Sequence, residues 1–189
     1  HKVPRNDGTN LADYLLSDVK TRCIAVDGAN RKWMGTNNGV FLISNDCNTL
    51  IQHFTTENSP LLSNTVYDIC VDDNSNMVYF ATERGLCSYA SDATQPSEEM
   101  TKDNVYAYPN PVTPEYTGKI TIVGLSFNAD VKIVTSNGAL VNQGRSTGGS
   151  YQWDGRDLKG KRVASGVYMV QAATETGAKG VVCRIAVVN

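Results

Sequence analysis

The chain has 189 residues and a net charge of −2, and 41% of its residues are hydrophobic, which suits one large or two modest packed cores and excludes a wholly disordered polymer. Acidic and basic residues are interspersed, with no basic stripe, so no nucleic acid partner is expected. The longest apolar run, residues 180–188, is broken by Arg184 and is too short to cross a bilayer as a helix.

The chain opens at His1 without the charged, apolar and cleavage regions of a signal peptide, and so reads as a processed or excised piece. Residues 11–19, Leu-Ala-Asp-Tyr-Leu-Leu-Ser-Asp-Val, resemble Leu61-Leu62-Ser63-Asn64-Thr65-Val66 further on. That parallel favours a crossover entering a repeat over a helical turn. A repeat follows. Ile24-Ala25-Val26-Asp27, Arg31 to Thr36 and Gly39 to Leu42 form one unit. Ile69-Cys70-Val71-Asp72, Met77 to Thr82 and Gly85 to Tyr89 form a second, about 45 residues later. Each unit is a strand ending in Asp, a polar turn, an aromatic-bearing strand ending in Thr, a tight turn closing on Gly and a third strand. Leu50-Ile51-Gln52-His53-Phe54 adds a fourth strand to the first unit, and the second unit has no counterpart. Residues 1–90 therefore read as the last two blades of a truncated β-propeller. Free strand edges there invite pairing with another chain.

Residues 91–103 are polar and contain Pro96, and read as linker. From Asn104 to Asn189 the pattern is short strands. Val105 to Tyr108 runs into Pro109-Asn110-Pro111, whose prolines enforce extended and turn geometry. Residues 119–123 and 131–134 alternate apolar and polar, and Asn137-Gly138 gives a hairpin turn back through Leu140. Ser150 to Trp153, Val167 to Ala172 and residues 180–188 bring the count to about seven strands, as in an immunoglobulin-like sandwich. The stretch from Trp153 to Tyr168 reads as its central hairpin. Asp154-Gly155 and Lys159-Gly160 supply the turns, and Gly166 is expected to leave room for the Trp153 indole on the partner strand. The fold class is thus all-β: two partial propeller blades followed by an immunoglobulin-like β-sandwich.

Chemistry is sparse. Cys23, Cys47, Cys70, Cys87 and Cys183 form no CxxC and are odd in number; most lie in apolar strand-like runs and read as free packed thiols, with a disulfide as the alternative. Asp72-x-Asn74-x-Asn76 with Glu83 has a superficial calcium-loop spacing, yet Met77 stands where that loop needs glycine, so a hairpin turn is expected. Asp154 and Asp157 sit beside glycines and read as turn formers. His53, the only internal histidine, has no companion ligand, and Trp33 and Trp153 read as core aromatics in preference to carbohydrate platforms. No nucleophile elbow is present. Catalytic residues, metal sites and cofactors are expected to be none.

Two resemblances give these patterns a setting. The first half resembles the two-component-regulator propeller repeat, whose hallmark is an Ile-x-x-Asp strand followed by Trp-x-Gly-Thr and Gly-Val; the second unit departs from it with Tyr79-Phe80-Ala81-Thr82. The second half resembles the C-terminal sorting domain of type IX secretion cargo through Tyr108-Pro109-Asn110-Pro111, Asn137-Gly138, Trp153-Asp154-Gly155, Gly166 and Tyr168. The same Trp153 hairpin resembles the domain of flagellar hook-capping proteins, but the Tyr-Pro-Asn-Pro opening favours the secretion family. The ending Ile185-Ala186-Val187-Val188-Asn189 lacks that family's basic tail. The resemblance implies an export domain read by the outer-membrane translocon. The combination implies a non-enzymatic component of the type IX attachment complex, acting with a sortase and binding anionic lipopolysaccharide. Its expected location is the outer-membrane surface, or secretion, in a Gram-negative cell of Bacteroidetes type. A carbohydrate-sensing propeller ectodomain, or the C-terminal part of a secreted hydrolase, stands as the alternative.

Overall fold

Thr36 and Thr82 show how the repeat closes its hairpins. In the computed structural model, which describes residues 2–4, 12–177 and 180–188, Thr36 Oγ1 donates to Gly39 O at 2.8 Å and Thr82 Oγ1 to Gly85 O at 2.7 Å. Gly39 (φ 94°) and Gly85 (φ 123°) take the left-handed backbone these turns need. The chain is all-β and divides into two compact units, residues 1–91 and 92–189. No helix of the described residues is long and apolar enough to cross a membrane.

In the first unit, β1 (Lys2–Pro4) pairs with β2 (Ala12–Tyr14). A four-stranded antiparallel sheet follows in chain order, β3 (Thr21–Val26), β4 (Lys32–Thr36), β5 (Val40–Ile43) and β6 (Leu50–Phe54). Then come three strands, β7 (Val66–Asp72), β8 (Met77–Thr82) and β9 (Gly85–Ala90). These are two partial propeller blades, of four and three strands. The crossover expected at residues 11–19 is instead β2 and a turn, because Ala12–Tyr14 find backbone partners in Lys2–Pro4; Leu11 lies outside the described residues.

The alternation of each strand points one face of the first blade at the second. Trp33, Val40, Leu42 and Phe54 bury against Val66, Ile69, Val78 and Phe80. Trp33 is fully buried, with ring centroids of Phe54, Phe80 and Tyr89 at 5.7, 5.8 and 5.7 Å. Burying a large apolar side chain contributes roughly 1.5–3 kcal/mol, and each such ring pair about 0.5–1.5 kcal/mol more. Gly35 lets the blades meet: a Cβ there would run into Cys23 Sγ and lie 3.0 Å from Val66 Cγ1. Its counterpart on β8, Ala81, is half-buried.

The second unit is an immunoglobulin-like sandwich. One sheet has the order β10 (Tyr106–Tyr108), β11 (Ile120–Val123) and, after two intervening strands, β14 (Tyr151–Trp153). The other has the order β13 (Leu140–Arg145), β12 (Asp130–Thr135), β15 (Gly166–Ala173) and β16 (Gly180–Val187). Ile120, Ile122, Val131, Ile133, Trp153, Tyr168, Val170 and Ile185 are among the buried residues of its core.

Two expectations are corrected here. Trp153 and Tyr168 do not belong to one hairpin: β14 pairs with β11, and β15 pairs with β12 and β16. The loop between them carries the chain from one sheet to the other, so its turns do not bring the flanking strands into register. Gly166 accordingly does not shelter the indole; a Cβ there would meet only Tyr168 Cε2, at an ordinary 3.9 Å. Of residues 91–103, expected as linker, Ser91 closes the first unit and residues 92–103 lie within the second. Ala93 and Met100 are buried, Ser150 Oγ donates to Asp92 O at 2.7 Å, and Gly149 N donates to Thr94 O at 2.9 Å.

All five cysteines are free thiols. Burial raises the Cys23 thiol and pushes Cys183 up to about 11, which keeps both protonated and inert at neutral pH.

Candidate functional site: the motif residues of the sandwich

Trp153 anchors the first group of motif residues. Its ring is buried between the sheets and meets Tyr168 edge-on, with centroids 5.6 Å apart and planes at 60°. Both polar ends are satisfied locally: the indole N–H donates to Arg156 O at 2.8 Å and the Tyr168 hydroxyl to Ala164 O at 2.8 Å. Burial raises the Tyr168 phenol above its ordinary range, so it stays a donor. Asp154 Oδ1 accepts from Arg156 N at 3.0 Å, Gly155 takes φ 71°, and Val163 N donates back to Gly155 O at 3.0 Å. Asp157 Oδ1 accepts from both Lys159 N and Lys161 N at 2.9 Å. Each carboxylate thus builds its own turn.

The second group is the Tyr-Pro-Asn-Pro segment. It ends β10 and carries the chain to the edge of β16; the Tyr108–Pro109 and Asn110–Pro111 peptide bonds are both cis. Asn110 does what a backbone residue of a neighbouring strand would do. Its Nδ2 donates to Arg184 O at 2.9 Å and its Oδ1 accepts from Ala186 N at 2.9 Å. Backbone pairing then takes over, with Val112 N donating to Ala186 O at 2.8 Å and Val188 N to Val112 O at 2.9 Å. Tyr108 is exposed, with its ring 6.3 Å from that of Tyr106.

Asn137 and Gly138 stand apart from both groups, at the exposed turn joining β12 and β13. Thr135 organises that turn: its hydroxyl donates to Asn137 Oδ1 and accepts from Ala139 N, and Gly138 takes φ 87°. The motif residues therefore form three clusters. An open groove of about 750 Å³ touches segments adjoining each of them, including Pro114, Thr135, Leu140, Asp157, Arg162 and Tyr168. Its lining is mixed, and Asp157 Oδ1 is already engaged by its own turn.

In the first unit the strand-ending aspartate proves more consequential than its turn position suggests. Asp27 is buried; Oδ1 accepts from Ala29 N and Arg31 N at 3.0 Å, while Oδ2 accepts from Arg31 Nε at 2.8 Å and the Trp33 indole at 3.0 Å. Arg31 Nη2 donates onward to Ser91 Oγ at 3.0 Å. The Asp27-x-x-x-Arg31-x-Trp33 spacing was the available signal, whereas Ser91 is sixty residues away. Asp72 behaves as the hairpin turn expected of it: Asn74 N donates to Oδ1 at 3.1 Å and Ser75 Oγ to Oδ2 at 2.5 Å. Asn76 adds φ 59° and β8 begins at Met77. His53 stacks on Phe41 at 3.9 Å, with Nε2 2.6 Å from Asn38 O. Among the described residues no cluster of three metal-ligating side chains occurs.

No family model matches the chain, and no curated protein does. A solved structure does. The chain is similar over its whole length to PorZ. That protein is described as an essential bacterial surface component of the type IX secretion system of Porphyromonas gingivalis. Identity is 35% and the TM-score 0.62, and the match covers 100% of this chain and 25% of PorZ. The chain thus spans about a quarter of the PorZ chain it matches, with propeller repeats leading into the sandwich. Dimeric latent PorU of the same organism is 17% identical over 59% of this chain and 12% of its own, with a TM-score of 0.35. The extracellular domain of a hybrid two-component system of Bacteroides thetaiotaomicron is 13% identical over 96% of this chain and 28% of its own, with a TM-score of 0.36.

Proposed function

We propose that this chain is part of a non-enzymatic surface component of a type IX secretion system, located at the outer-membrane surface or released from it. The observation that carries the reading is the 35% identity to PorZ along the entire chain. The side-chain chemistry fits a contact role: the carboxylates of the Trp153 loop hold turns, and Asn110 holds a strand edge. On this reading the protein acts with a sortase and the translocon and carries anionic lipopolysaccharide, and the sandwich presents the export signal.

Affinity capture from outer-membrane extract with the full chain tests it. Co-purification of a sortase and lipopolysaccharide supports the proposal. Recovery of neither, with selective retention on a neutral glycan array instead, overturns it in favour of a sugar-sensing ectodomain.

A further inference from the structure

The first strand of each blade carries a bulge at the same place in the repeat. On β3, Thr21 faces Thr36 and Cys23 faces Gly35, leaving Arg22 as the extra residue. On β7, Val66 faces Thr82 and Asp68 faces Ala81, leaving Tyr67 as the extra residue. A bulged residue leaves the ladder and re-aims its side chain. Here the two re-aimed side chains meet: the Arg22 guanidinium carbon lies 5.4 Å from the centroid of the Tyr67 ring. Both residues are exposed, Tyr67 by 51%.

What holds Arg22 matters. Among the described residues no carboxylate pairs with its guanidinium, and neighbouring Asp68 accepts Ile69 N at 2.9 Å with Oδ1. Stacking on a ring fixes the plane of the guanidinium but consumes none of its N–H groups. The charge is therefore held beside the ring on an exposed residue, and no carboxylate of the described residues neutralises it. Carboxylate and phosphate oxygens are the groups that match a guanidinium fork in bidentate fashion.

We propose that Arg22 and Tyr67 form an oxyanion-binding site for a carboxylate or phosphate group, Arg22 supplying the paired donors and Tyr67 holding the guanidinium in plane. The site stands independently of the secretion reading, since it rests on the two bulges and the stacked pair alone.

The test is an NMR titration of the full chain, following the Arg22 Nε–H and Tyr67 ring signals, with inorganic phosphate, glucuronate and, as the neutral control, glucose. Saturable shifts with phosphate, glucuronate or both support the site and identify which oxyanion it takes, provided glucose gives none. Arg22→Ala is expected to weaken binding about tenfold or more, a loss on the scale of a charged bidentate hydrogen bond. Arg22→Lys should lose nearly as much, and Tyr67→Leu about threefold, through loss of stacking at an exposed site. No saturable shift with either anion, an equal shift with glucose, or undiminished affinity in folded Arg22→Ala overturns the proposal. The wild-type titration decides the matter if a variant fails to fold.

Discussion

In the first blade Asp27 is buried under Arg31 and Trp33, with both oxygens filled; in the second, Asp72 occupies the same place in the repeat and folds back on its own surface turn. Two differences in sequence go with the contrast, Trp33 against Tyr79 and Arg31 against Met77. Trp33 sits on the face that packs against the next blade and brings an indole N–H down to the carboxylate, whereas Tyr79 replaces it in the second blade. Once the carboxylate is buried it needs a cation, and Arg31 four residues later supplies it. The contact extends across the blades through Gly28 N, which donates to Asp73 Oδ1 at 2.8 Å. The same consensus letter is thus an interface residue in one copy and a turn residue in the other, and the neighbouring blade decides which.

Substituting the two aspartates should break the comparison most sharply. Asp27→Ala removes the buried carboxylate that faces the Arg31 charge and is expected to cost about 3–5 kcal/mol, read as a lower unfolding midpoint of the first unit in denaturant. Asp72→Ala should lower that midpoint far less, since only an exposed turn loses its acceptor. The paired positions Gly35 and Ala81 come next. Gly35→Ala forces a methyl between Cys23 and Val66 and should cost about 1–3 kcal/mol, as overpacking does. Part of this should return in the Gly35→Ala, Cys23→Ala double variant, while Ala81→Gly changes little. Smaller still is the loss of the hairpin hydroxyl. Thr36 is wholly buried, so Thr36→Val should cost about 1–2 kcal/mol by leaving Asn38 N without its acceptor, while Gly39 O keeps the Thr36 N–H. Thr82→Val should cost less, because its turn is more open to water.

Acid titration gives the smallest effect. The Ser75 hydroxyl, then Asn74 N–H, hold Asp72 below the ordinary carboxylate value, and the Ser44 hydroxyl with Asn48 takes Asp46 from 3.8 to about 2. A lowered carboxylate contributes stability that is complete above the unfolded value and is lost as pH falls through the folded one. The acid limb between about pH 4 and 2 should therefore flatten slightly in Asp46→Asn. Asp72→Asn should act on the same limb, and an unchanged limb in both variants would contradict the turn geometry.

Much of this architecture was legible because it is local. The repeat shows in strands, turns and a 45-residue offset, and the seven sandwich strands show in alternation and turn residues. What escaped depends on partners distant in the chain. The Trp153 loop has every turn signal of a hairpin, yet its ends belong to different sheets, and periodicity within a strand does not say which sheet it joins. Asn110 looked like one letter of a motif; its partners, Arg184 and Ala186, lie more than seventy residues away. Arg22 and Tyr67 met through bulges, and a bulge is a property of pairing that neither strand displays alone.

The Asn110 clasp also has a chemical lifetime. Asparagine ages by attack of the following backbone nitrogen on its side-chain amide, and conversion to aspartate would replace the Nδ2 donor at Arg184 O with a second acceptor. The following residue here is Pro111, which has no N–H to make that attack. Asn137 is followed by Gly138, whose nitrogen does carry a proton, donated to Thr135 O at 2.9 Å, and which has no side chain to obstruct the attack. In a protein stored for long periods the hairpin turn should therefore age first, while the clasp on the last strand keeps its chemistry.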